Sequence, residues 1–76
     1  MAALIWHKSP DMEFISPINV KGQSISASIS EGDPRGGTSW IVLIGGEEFS
    51  SGREPGPASA RARAETFVER ASASLK

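Results

Sequence analysis

"SWIVLIGGEEF", residues 39–49, is the stretch on which the fold turns. Trp40, Ile41, Val42, Leu43 and Ile44 are apolar in unbroken succession, and Gly45, Gly46, Glu47 and Glu48 follow. The apolar run reads as a strand. The glycine pair suits a tight two-residue hairpin, because both positions accept positive φ. "EEFSSG" is then the returning strand, with Phe49 expected to face the core and Glu48 to point outward. A sheet with one wet side alternates apolar and polar residues. This strand does not alternate. With Trp40, Val42 and Ile44 on one side, Ile41 and Leu43 must point to the other.

Upstream, "KGQSISASIS" (residues 21–30) alternates strictly: Ile25, Ala27 and Ile29 against Ser24, Ser26, Ser28 and Ser30. That period of two marks a half-buried strand. Lys21-Gly22 before it reads as a turn, so residues 13–30 are expected to form a hairpin. "MEFISPINV" supplies its first arm, interrupted at Pro17, which cannot donate to a ladder and so implies an edge or a bend. "EGDPRGGT" between the serine-rich strand and the apolar one reads as a loop.

Downstream of Pro57 the period becomes helical. Ala60, Ala64, Phe67, Val68, Ala71 and Leu75 recur at spacings of three and four, one apolar stripe. Either Ser59 as N-cap or Pro57 as first helical residue after Gly56 would start this helix. Arg61 and Glu65 stand four apart and could pair, and Lys76 suits the helix C-terminus. Ala60 and Ala64 would let the first turns lie close to a sheet.

The expectation is an α+β fold in two layers. It comprises an antiparallel three- to four-stranded β-meander with one C-terminal α-helix packed on one face. Residues 1–76 form a single small domain. Within it, 1–12 are an N-terminal arm or short strand, 31–38 a mobile loop and 58–75 the helix. One helix covers one side only, which leaves Ile41 and Leu43 to be accounted for. Three readings compete. Leu4, Ile5 and Trp6 could fold over the second side; a twin subunit could cover it; or it is a patch for another partner, or simply two exposed aliphatics in a central strand.

Composition narrows the function classes. A chain of 76 residues has a small core and often leans on a disulfide, a metal or a partner. It has no cysteine and one histidine, so association is the support that remains. The absence of cysteine fits a reducing compartment, and no signal peptide or membrane span is visible, so a cytoplasmic protein is the default. With 8 basic and 9 acidic residues the net charge is −1, against the basic excess usual in nucleic-acid binders.

Chemistry is sparse. His7 lies near a terminus with no elbow serine to serve. Glu47 and Glu48, adjacent on a strand, point to opposite sides and make a poor pair. "GGEEFSSG" has no lysine after its glycines and is not a phosphate loop. "EGDPRGG" lacks the ligand pattern of a calcium loop. No catalytic residue, cofactor, metal or small-molecule ligand is therefore expected.

The stretch "SSGREPGPASARARAETFVERA" (residues 50–71) resembles the end of a double-stranded-RNA-binding domain, where a strand and a glycine-bearing loop precede a helix with repeated alanines. Three-stranded antiparallel sheets with a C-terminal helix also occur in the arm-binding domains of phage-type integrases. The likeness covers residues 40–71. The basic cluster at the helix start is reduced to Arg61 and Arg63, and the N-terminal helix of the RNA-binding family is missing. No functional residue is carried over, and a shared fold implies no function by itself.

These observations give a non-catalytic binding, interaction or structural module, able to self-associate through the sheet or its edge as a homodimer or to meet another protein partner. The candidate interaction surface is Ile41, Leu43 and Trp6. Trp40 and Phe49 are further positions to probe. The alternative is a nucleic-acid-binding module using Arg35, Arg53, Arg61 and Arg63, with Lys21, as a stripe across the loops and helix start.

Overall fold

The computed structural model describes residues 4–31 and 35–75. Six strands and one helix follow in order: β1 (Trp6–Lys8), β2 (Glu13–Ile15), β3 (Ile18–Val20), β4 (Gln23–Glu31), β5 (Thr38–Ile44), β6 (Glu47–Glu54) and α1 (Pro57–Leu75). All six strands join one antiparallel sheet in the order β1-β2-β4-β5-β6, with β3 also on β4. The helix lies against β4, β5 and β6. This is the expected two-layer α+β fold, with more strands than the three or four read from sequence. The difference lies at the N-terminus, where three short strands pair with their neighbours despite Pro10 and Pro17. Proline interrupts rather than removes the first hairpin arm: β2 and β3, on either side of Ser16-Pro17, both pair with β4.

Turn chemistry works as the residues dictate. Gly45 and Gly46 have φ of 59° and 85°, and Lys21-Gly22 has 51° and 82°, the paired positive values of a tight hairpin. The serine-rich strand and the apolar strand form the centre, in register from Ile25↔Ile44 to Glu31↔Thr38. Strand β4 thus runs one residue further than expected and takes Glu31, and β5 takes Thr38. Residues 32–34 of the expected mobile loop, residues 1–3 of the expected arm, and Lys76 lie outside the described residues.

The core sits between the sheet and α1. Ile25, Ile29 and Val42 of the sheet and Ala60, Ala64, Val68 and Ala71 of the helix are buried, with Phe67, Leu75, Trp6 and Leu4 packed around them. The alanines allow the close approach of helix and sheet, and Phe67 stacks on Trp40 with ring centroids 5.1 Å apart. Gly52 faces Trp40 across the strands. A Cβ there would stand 2.9 Å from the indole, so the missing side chain is what lets the ring lie flat over β6.

One local alternative is resolved and one expectation is corrected. The helix begins at Pro57, with the Ala60 amide donating to the Gly56 carbonyl at 3.0 Å, so proline at the first position starts it rather than Ser59. Arg61 does not pair with Glu65. It reaches across to Glu13 on β2 with two hydrogen bonds of 2.9 Å, while Glu65 accepts one from the Trp6 indole at 2.8 Å. The two parallel bonds to Glu13 are the bidentate, charge-assisted geometry that favours this partner.

Candidate interaction surface

The sheet registers fix which residues share the side away from the helix. One row crosses five strands: His7, Phe14, Ser28, Ile41 and Ser51. Parallel to it run Ser26, Leu43 and Glu48, then Ser30, Ser39 and Arg53. Ile41 and Leu43 are half-buried there, and Phe14 is 39% exposed. No described element lies across this side, because the single helix takes the other. The strand with no polar face therefore follows from its central position, with its even residues on the core and its odd ones on an open sheet side.

Trp6 lies elsewhere. It pairs with Ile15, packs against the core and donates to Glu65, which places it on the helix side of the sheet. The described part of the N-terminal segment extends the sheet sideways as β1, and Leu4 and Trp6 pack on the core rather than over the second side. The structure thus brings Ile41 and Leu43 together and separates Trp6 from them. Phe14 and His7 take their place in the row. The sequence did not single out Phe14, because a three-residue strand beside a proline does not fix its own facing.

Phe49 was expected in the core and is 39% exposed. Val42 faces Ser50 while Leu43 faces Glu48, so Phe49 is the extra residue of a β-bulge and drops out of the alternation. Sequence reading had no signal for that slip.

The arginines do not form one stripe. Arg61 is bound to Glu13, and the hydrogen bond from Arg61 holds the Glu13 carboxyl below its ordinary range against the opposing effect of desolvation. Arg63 stands 3.8 Å from Glu54. Arg35 and Arg53 are placed together, lining with Ser30, Ser39, Ile41 and Glu48 an open groove of about 520 Å³ on the uncovered side. That groove, which Trp40 also lines, mixes two apolar side chains with hydroxyls and opposite charges.

The His7 imidazole lies 3.0 Å from the Ser16 hydroxyl and beside the Phe14 ring, on exposed surface. It lines neither the groove nor the 180 Å³ hollow at the β1–β2 turn. Among the described residues no group of three or more histidine or carboxylate side chains is placed to hold a metal ion. No described helix is long and apolar enough to cross a membrane.

No protein-family model, curated protein or solved structure matches this chain.

Proposed function

We propose that this chain is a non-catalytic interaction module whose contact surface is the open side of its sheet. The observation that carries the reading is the row Phe14–Ser28–Ile41 with Leu43 beside it: apolar side chains at the middle of a sheet side that no described element covers. Ile41 and Leu43 are already half-buried, so covering what remains exposed would contribute only a fraction of the roughly 1.5–3 kcal/mol that burial from full exposure gives each. The serines between them keep the patch tolerably wetted when it is bare, which suits a surface that exchanges partners. The groove lined by Arg53 and Glu48 gives the patch a charged border that would orient a protein partner.

Nucleic-acid contact receives less support. Of the arginines at the helix start, Arg61 is held by Glu13 through two hydrogen bonds that a phosphate would have to displace, and Arg63 stands 3.8 Å from Glu54, which a phosphate would have to compete with. Titration with DNA and RNA fragments at two salt concentrations tests it. Tight binding that weakens steeply with salt would establish that alternative over the present one.

The main test is photocrosslinking in the native cell. A benzophenone side chain at position 41 should give adducts, and the same group at exposed Glu69 on the helix should give none. Adducts at neither position, or equally at both, would remove the open side as a specific contact surface.

A further inference from the structure

The open side is one unpartnered feature of the sheet, and its edge is another. Strand β6 spans Glu47–Glu54, is bonded to β5 alone among the described strands, and is exposed along most of its length. The opposite edge, β1, has three residues. A long bare edge is a template for another strand, and proteins usually blunt it with charge and bulges. Here both devices are present, and together they make the edge complementary to itself.

The bulge decides this. Glu48 and Arg53 are five positions apart, so in a regular strand they would point to opposite sides of the sheet. Because Phe49 is an extra residue, both face the open side, Glu48 opposite Leu43 and Arg53 opposite Ser39. Counted in facing positions, Ser51 is midway between them. Ser50, Gly52 and Glu54 face the helix side, as does Glu47 opposite Ile44.

We propose that a second copy of this chain docks on β6, strand against antiparallel strand, about a two-fold axis through Ser51. Laid along its own reverse, β6 places Ser51 opposite Ser51, Ser50 opposite Gly52, and Glu48 opposite Arg53 of the second copy, twice by symmetry. Every pair matches in side, with each Phe49 standing out of the ladder as a bulge. Glu47 meets Glu54 at each end, the like-charged pairing of the interface, with Arg63 standing 3.8 Å from Glu54. The interface is isologous, as a two-fold requires, and opposite charges face each other in the position where like charges would repel. An axis normal to the sheet keeps both helices on one side. The two open sides then join into a single surface carrying both copies of Ile41 and Leu43. This proposal goes beyond the contact surface described above, since it needs only the edge.

The test is sedimentation equilibrium of the purified full chain from about 10 µM to about 1 mM, a range that reaches even weak association. The wild type should dimerise. Glu48→Arg and Arg53→Glu each set like charges opposite at two symmetric places and should weaken the dimer about tenfold or more. The double variant, Glu48→Arg with Arg53→Glu, restores both pairs and should recover most of the affinity. Both residues are exposed, and thermal melts of each variant check that the fold is intact. A monomer throughout overturns the proposal, and so does a dimer indifferent to the single reversals. Crosslinks from position 41 to another protein, with a monomer in sedimentation, would leave the open-side reading standing and end this one.

Discussion

At the residue scale, two side chains have roles that follow from their contacts. Trp40 is 5% exposed and sandwiched between Phe67 and the backbone of Gly52. Among the described residues its Nε1 meets no hydrogen-bond partner, so packing is what holds the ring there. Gly52→Ala puts a methyl 2.9 Å from the indole and should destabilise the domain by about 1–3 kcal/mol, read from urea unfolding. Ser50→Ala on the same strand is the control and should stay within about 0.5 kcal/mol. Glu13 is the second. Arg61 lowers its pKa below the ordinary 4.5, so the pair stabilises the fold above that pH. The contribution is lost as pH falls through the lower, folded-state value. Glu13→Gln should therefore be less stable than wild type at pH 7, with the gap closing as urea midpoints are followed below about pH 4.5. A gap constant with pH would show that the carboxylate charge plays no part.

At the scale of elements, α1 is the piece that makes one side of the sheet an interior. Ala60, Ala64 and Ala71 are fully buried and set its distance from β4 and β5. Ala64→Leu should force the helix outward and cost about 1–3 kcal/mol in thermal denaturation, whereas Ala62→Leu, on the exposed side, should change stability by less than about 0.5 kcal/mol. Equal effects would mean the stripe has been assigned to the wrong side. This helix was legible because its period is long and unbroken, and β4 and β5 were legible because alternation and a glycine pair mark them. The N-terminal strands were not, since three residues carry no period and their pairing depends on partners distant in sequence. The same limit hid part of the candidate surface. Ile41 and Leu43 follow from counting along one strand, but Phe14 and His7 join them only through the register of β1, β2 and β4. Trp6 was misassigned for the same reason, and Phe49 because a bulge breaks the count.

At the scale of the molecule, the described residues build one covered sheet side and leave the other bare. The net charge of −1 conceals a local order in which Glu48 and Arg53 border the bare side, while Arg61 and Arg63 are spent in bridges to Glu13 and Glu54. Such a domain gains from any surface that meets Ile41 and Leu43, and Ile41→Thr with Leu43→Thr should leave its melting temperature as a dilute monomer within a few degrees, since about 1 kcal/mol moves a domain of this size by roughly 4–8 °C. A large drop would show that those two side chains support the isolated fold. The most direct measurement of the bare side is methyl NMR of the dilute protein with a soluble paramagnetic probe. The account predicts strong relaxation of the Ile41 and Leu43 methyls and none at Val42 and Val68; Ile41 and Leu43 as silent as Val68 would contradict it.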